Sequence, residues 1–267
     1  MEAARITKES IVPILRNLFR VWDHRVREGC DNHGAESLIL QDAHRIAQTL
    51  ALLHDCKAPG RLLEIGTGYL GLVVALRRLF PRAKITGLEY PGRRYIWTQD
   101  YRTRLTAEQI HLVATDVVSS GIPFHCKTFD VVILAEVVEH LPPNALPAVL
   151  TEVARSMVAR GLLLITTPNL ASWTNRELLL RGDSPGQQSP ALIIDGAYGH
   201  LRLYTMEELV QLVEKAGFHV IRRTFIDQIQ LGLSRSRGLI RMALRPVKSL
   251  WPALRDTSVI QAVRNEG

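Results

Sequence analysis

Cysteine is scarce in this chain: Cys30, Cys56 and Cys126 are the three thiols among 267 residues, and none forms a C-x-x-C pair. An odd, scattered set argues for reduced thiols in a cytoplasmic setting, with no zinc site expected from them. Long apolar runs are also missing. No stretch approaches the ~18 apolar residues of a membrane span, and the opening MEAARITKES has no apolar core of the signal-peptide kind. The expectation is a soluble, cytoplasmic protein. Basic runs interleaved with aromatic residues are absent too. The net charge of +7 therefore reads as a solvated basic surface, with no nucleic-acid partner expected. Internal repeats and low-complexity segments are lacking.

What is present is an ordinary globular balance, 46% apolar and 22% charged, in a chain long enough for one large domain with an appendage. Ile11, Ile14, Leu15, Leu18, Phe19 and Trp22 fall on one helix face. Ile39, Ala43, Ile46, Ala47, Leu50 and Leu53 make a second stripe after the turn-rich EGCDNHGAES. Residues 1–57 thus form an N-terminal helical cap placed over the cleft of a domain spanning 58–267.

From there the pattern alternates. Short apolar strands are expected near 61–65, 84–89, 110–114, 130–135 and 161–166, with helices at 71–80, about 93–104 and about 144–158. Alternation of nearly continuous apolar strands with helices argues for a parallel α/β sheet covered on both faces. Thr205 and Glu208 spell a capping box, Gly217 ends that helix, and strand candidates follow at 218–225 and 258–264. Two long connections, 169–204 and 226–257, stand out as a substrate or lid insert and a basic insert.

Residues 62–71 read LLEIGTGYLG, which spells G-x-G-x-x-G with an acid two places ahead. Glycines let a strand-to-helix turn approach a ligand closely. A pyrophosphate there would be repelled by Glu64, whereas the ammonium and sulfonium of S-adenosylmethionine would be attracted. Glu89 closes the second strand, where a carboxylate accepts ribose hydroxyls. NAD and S-adenosylmethionine share that ribose, so Glu64 is the discriminating residue.

LLEIGTGYLG resembles the first motif, E/D-x-G-x-G-x-G, of class I S-adenosylmethionine-dependent methyltransferases. ATDV at 114–117, FDVVILAEVVEHL at 129–141, GLLLITTPN at 161–169 and HLRLYTMEELVQLVEKAGF at 200–218 resemble later motifs in the family's order. Together they cover about 60–225, and EVVEHL with TTPN is similar to the small-molecule subgroup. The departure is Leu70, which stands where the family has its third glycine; it is taken as a tolerated variant.

The resemblance implies a Rossmann-like, mostly parallel seven-stranded sheet with strand seven antiparallel, and S-adenosylmethionine as cofactor. It implies that Glu64 orients the methionine end, that Gly66, Thr67 and Gly68 line it, and that Glu89 takes the ribose hydroxyls. Asp116 and the Val117 amide would meet adenine, and Ala135 and Glu136 would border the cofactor. For Asp116 the alternative is a loop carboxylate capping the next turn. His140 and His200 are rival general bases, with a packing or capping role as the alternative for His140. Trp173, Arg176, Tyr198 and Arg202 are candidates for acceptor contact. No metal is assigned.

The expected activity is methyl transfer to oxygen of a small-molecule or glycan- or lipid-linked acceptor, releasing S-adenosylhomocysteine. The Asn/Asp-Pro-Pro-Tyr/Phe motif of base-nitrogen methylation is not at strand four. An NAD-dependent oxidoreductase, for which no Tyr/Lys pair stands out, and a non-catalytic scaffold of the same fold are the alternatives. The Arg-rich stretch 234–255 admits weak peripheral contact with an anionic membrane. A helical insert with its charges in water is favoured, because Pro246 and Pro252 interrupt a long helix. The acceptor and the oligomeric state are not legible.

Overall fold

The computed structural model describes residues 7–18, 35–54, 56, 58–185, 199–227 and 246–266. It opens with α1 (Lys8–Asn17) and α2 (Ala35–Ala51). Their apolar stripes bury Ile11, Leu15, Ile39, Ala43, Ile46 and Leu50. Phe19 and Trp22 lie outside the described residues.

Seven strands follow: β1 (Arg61–Ile65), β2 (Lys84–Glu89), β3 (His111–Ala114), β4 (Phe129–Ala135), β5 (Met157–Pro168), β6 (Phe218–Ile226) and β7 (Thr257–Arg264). Helices α3 (Gly71–Leu79), α4 (Gln99–Ala107), α5 (Leu146–Ser156), α6 (Trp173–Leu180) and α7 (Met206–Lys215) lie between them. The sheet order is β3-β2-β1-β4-β5-β7-β6. β7 runs antiparallel to both its neighbours and the other pairs are parallel. This is the Rossmann-like class I methyltransferase fold that the motif order implies.

Period-two alternation sorts the side chains. Leu62, Val131, Ile133, Leu164 and Val259 face one way and share a core with α1, α2, α3 and α4. Leu63, Ile65, Val132, Leu134, Leu163 and Ile165 face the other way and pack on α5 and α7. The N-terminal helices are therefore part of one covering layer, continuous with the core of the sheet.

Three boundaries differ from expectation. The helix expected over 93–104 is broken: a 3-10 turn at Arg94–Trp97 precedes α4. Thr98 makes the break, since its hydroxyl donates to Tyr95 O at 2.8 Å and accepts from the Tyr101 amide at 3.4 Å. β5 starts four residues before 161–166, pairing Met157 with Phe129 before a register shift. The connection 169–204 contains α6, whose first turn is capped by Ser172 accepting from Asn175 N at 3.3 Å. The capping box at Thr205 is present, with Thr205 N donating to Glu208 Oε2 at 2.9 Å.

The chain leaves β1 toward β2 and β3 and returns to β4 on β1's other side. That reversal opens a crevice at the carboxyl ends of β1 and β4, the place where open α/β sheets hold ligands.

Candidate active site at the carboxyl edge of the sheet

The loop after β1 is built around close approaches. Gly66 has φ +77°, and a Cβ there would lie 2.5 Å from Val137 Cγ2 on the far side of the crevice. On β2, a Cβ at Gly87 would lie 2.3 Å from Thr67 Cγ2. Only bare backbone at these two positions lets the loop settle onto β2 and the β4 turn. Thr67 is buried, with its hydroxyl 2.8 Å from that of Tyr101, and Tyr101 donates to Gly68 O at 3.0 Å. Leu70 adopts the left-handed conformation, φ +67°, as the residue before α3, and is fully buried. The family's glycine position therefore keeps a glycine-like backbone here; burial of the leucine side chain offsets a strain of about 1–2 kcal/mol.

Glu64, Gly87 and Glu89 point to the same face of the sheet as Leu62 and Ile85, under α2 and α3. Glu89 is buried and accepts from the Gly68 amide at 2.7 Å and from the Tyr90 amide at 2.9 Å. Glu64 is buried, and its Oε2 has no hydrogen-bond partner among the described residues. Burial, and secondarily the Glu89 charge, push the Glu64 carboxyl well above the usual carboxylate range, while Arg45 pulls the other way. Arg45 comes from α2, pairs with Asp42 at 3.3 Å, and also acts on Glu136 and Glu139. The sequence pattern passes over Arg45, because its position in α2 says nothing about the strand ends it will face.

Asp116 is half-buried after β3. Its oxygens accept from Val118 N and from the Ser119 hydroxyl, both at 2.9 Å. Its visible engagement is thus the turn-capping alternative. Val117 is half-buried beside it, packed against the α5–α7 core. Ala135 ends β4, and Glu136 follows in the left-handed region at φ +57°. Thr166 holds that turn: its carbonyl accepts the Glu136 amide at 2.9 Å, and its hydroxyl donates to Glu136 Oε1 at 2.7 Å.

One turn on, Val138–His140 forms a 3-10 turn. Glu139 is fully buried; its Oε2 accepts from Thr167 Oγ1 at 2.9 Å, and its Oε1 has no hydrogen-bond partner among the described residues. His140 Nδ1 lies 3.2 Å from Gly199 O, which makes Nδ1 the protonated nitrogen and leaves Nε2, 3.9 Å from Glu139 Oε1, without that proton. Leu201 N and Arg202 N donate to Glu139 O at 2.7 and 3.2 Å, and Leu170 N donates to Tyr204 O at 3.1 Å. The 199–204 segment therefore crosses the ends of β4 and β5 and sets His200 against His140, ring centroids 5.0 Å apart. Burial first, then the neighbouring His200, push the His140 pKa down to about 4, and burial lowers His200 as well. Burial also raises Glu139 well above the ordinary carboxylate range, with Glu136 adding to it. The two rival histidines of the sequence are thus a single pair.

A family model described as "Methyltransferase domain" matches residues 38–223. The chain belongs to this methyltransferase family. No curated protein matches the chain significantly. Solved structures match it along most of its length. A methyltransferase in complex with the Haloferax volcanii Trm112 methyltransferase activator is 16% identical, with TM-score 0.62, covering 92% of this chain and 98% of that one. A SAM-dependent methyltransferase of Thermotoga maritima is 17% identical, with TM-score 0.55, covering 92% and 99%. One from Archaeoglobus fulgidus is 19% identical, with TM-score 0.55, covering 82% and 93%. At these identities the likeness is one of fold.

The acceptor-side candidates of this methyltransferase domain are less gathered. Trp173 is half-buried at the start of α6, and Arg176 is exposed with its Nε donating to Ala171 O at 2.8 Å. Arg202 pairs with Glu208 at 2.7 Å and lies 5.1 Å over the Tyr204 ring. These contacts are local to α6 and to the start of α7. Tyr198 lies outside the described residues, as does most of the basic stretch 234–255. Residues 246–250 of that stretch are helical, and Lys248 is buried between Asp227 at 2.6 Å and Asp256 at 3.4 Å. No described helix is long and apolar enough to cross a membrane. A cavity of about 470 Å³ lies at the opposite edge, lined by Arg77, Lys84, Gln109 and His111. Arg77 spends its guanidinium there on the carbonyls of Pro81, Ala83, Glu108 and Gln109.

Proposed function

We propose that this methyltransferase domain is a catalytic, S-adenosylmethionine-dependent enzyme that methylates oxygen of a small-molecule or glycan-type acceptor. The observation that carries the reading is Glu64: a buried carboxylate with an unpartnered oxygen at the crevice, on the same face as Glu89. Burial and Glu89 disfavour the charged form of this carboxyl, so a ligand bearing positive charge is what would favour it, and a pyrophosphate would disfavour it further. This disfavours the NAD alternative.

When bound, S-adenosylmethionine supplies an electrophilic methyl group on a sulfonium. Glu64 would attract the cationic methionine end, with the Gly66, Thr67 and Gly68 backbone around it. Glu89, pinned by two amides, keeps lone pairs for the ribose hydroxyls. Asp116 and the Val117 amide would meet the adenine end, and Ala135 and Glu136 would border the cofactor. His140 and His200 would flank the acceptor's hydroxyl. Positioning accounts for most of the acceleration in such a transfer. The AEVVEH sequence after β4, in place of the Asn/Asp-Pro-Pro-Tyr/Phe motif, disfavours a base nitrogen of DNA as the acceptor. The 199–204 segment and α2, which carries Arg45, would wall the acceptor side.

The test is calorimetric titration with S-adenosylmethionine, S-adenosylhomocysteine and NAD in parallel. Micromolar binding of the first two without an NAD signal is expected. NAD binding alone overturns the assignment of Glu64. Cofactor binding with no turnover across a panel of hydroxyl-bearing acceptors would favour the non-catalytic scaffold.

A further inference from the structure

Glu139, His140 and His200 form a cluster that base catalysis does not account for. One donor atom from each lies within 4.8 Å of the others. Glu139 Oε1 is 3.9 Å from His140 Nε2. It belongs to a fully buried side chain and has no hydrogen-bond partner among the described residues, so a carboxylate oxygen is aimed at two imidazoles. An unpaired buried carboxylate oxygen costs free energy that a cation would recover.

The surroundings orient each donor. Thr167 Oγ1 donates to Glu139 Oε2 at 2.9 Å, which leaves Oε1 facing the histidines. Gly199 O accepts from His140 Nδ1 at 3.2 Å, which presents Nε2 as the ligating nitrogen. Metal-bound histidines and carboxylates characteristically carry such outer partners. The amides of Leu201 and Arg202 tie the backbone next to His200 to Glu139 O at 2.7 and 3.2 Å. The cluster is therefore braced across three elements. Arg45, the positive charge acting on both Glu64 and Glu139, is already paired with Asp42.

We propose that Glu139, His140 and His200 bind a divalent transition-metal cation of the zinc or manganese class at the acceptor side of the crevice. One carboxylate and two imidazoles are a borderline donor set that leaves coordination positions open. Metal–donor bonds of about 2.1 Å bring tetrahedral ligands to roughly 3.4 Å from one another, so side-chain rotation alone would close the cluster. The open positions face the ground assigned to the acceptor. There the cation would hold a hydroxyl oxygen and lower its pKa, a Lewis-acid role in place of a histidine base. Cation binding stands on the cluster by itself; its use on an acceptor rests on the methyl-transfer reading.

The experiment titrates Co2+ and Zn2+ salts into the metal-stripped full chain, read by Co2+ visible absorption and by calorimetry. Wild type is compared with Glu139→Gln, His140→Ala and His200→Ala, and S-adenosylhomocysteine affinity and thermal stability are measured on every variant. One cation per chain is expected, with affinity falling about tenfold or more in each variant while S-adenosylhomocysteine affinity holds. Absence of saturable binding to wild type, or binding undiminished in all three variants, overturns the site. Should Glu139→Gln fail to fold, the two half-buried histidine variants carry the same comparison. Loss of S-adenosylhomocysteine binding by wild type alongside intact cation binding would overturn the methyl-transfer reading and leave the cation site standing.

Discussion

The Gly68 amide donates to Glu89 Oε2 at 2.7 Å. This bond joins the loop after β1 to the end of β2, so the carboxylate proposed to take the ribose hydroxyls also holds the glycine turn in shape. The two roles share one side chain, and a substitution at Glu89 tests both.

Glu89→Ala is expected to weaken S-adenosylhomocysteine binding by about 1–3 kcal/mol, the cost of leaving polar partners unpaired. Glu89→Gln keeps an acceptor oxygen for one amide and is expected to fall between alanine and wild type. Calorimetric affinities of the three proteins check this, and unchanged affinity in the alanine variant removes Glu89 from the cofactor site.

Gly66 faces Val137 across the crevice. Gly66→Ala adds both a Cβ only 2.5 Å from Val137 Cγ2 and a side chain at φ +77°. A stability loss of about 2–4 kcal/mol is expected in urea unfolding. The double variant Gly66→Ala/Val137→Ala removes the overlap and keeps the backbone strain, so a coupling of about 1 kcal/mol or more is expected in the cycle. Additive losses would place the whole cost in the backbone.

Leu70 trades strain for burial. Leu70→Gly relieves the left-handed backbone and empties a fully buried position, for a net loss of about 1–3 kcal/mol. A variant as stable as wild type in chemical unfolding would mean that the pocket refills at no cost.

Glu64 gives a pH-dependent stability with a definite sign. Its folded pKa lies above the ordinary 4.5, raised by burial and by Glu89 and opposed by Arg45. The folded chain therefore binds this proton more tightly than the unfolded chain does. The Glu64 contribution to stability is present in full below about 4.5 and is lost as pH rises from there through the folded value. Glu64→Gln removes that loss. In cofactor-free protein the variant's melting temperature is expected to gain on wild type as pH climbs above 4.5, while its affinity for S-adenosylmethionine falls. A constant difference across pH would show that Glu64 does not titrate differently in the two states.

Much of this architecture is written locally. The strands at 61–65 and 84–89 appear as their apolar runs indicate, because a strand buried on both faces needs little but continuous apolar residues. Thr205 and Glu208 set the start of α7 within four residues of each other. Where the sequence misleads, a local competitor wins: Thr98 breaks the expected 93–104 helix with its own hydroxyl bonds, as chain composition alone does not reveal. At the crevice, Glu64 and Glu89 are legible because each lies at the carboxyl end of a strand of fixed direction. Arg45 is not, since the face of α2 that meets β1 and β4 depends on how two layers pack.

By itself, the amino-acid sequence determined the strand and helix alternation, the glycine turn after β1 and the carboxylates at the carboxyl ends of β1 and β2, because periodicity and turn chemistry act over a few residues. The tertiary structure alone decided that Gly66 must clear Val137, that Arg45 reaches Glu64 and Glu139, and that His200, sixty residues from His140, shares one cluster with it. Those contacts are set by strand order and by the crossing of the 199–204 segment over β4 and β5, and no local pattern carries such long-range packing.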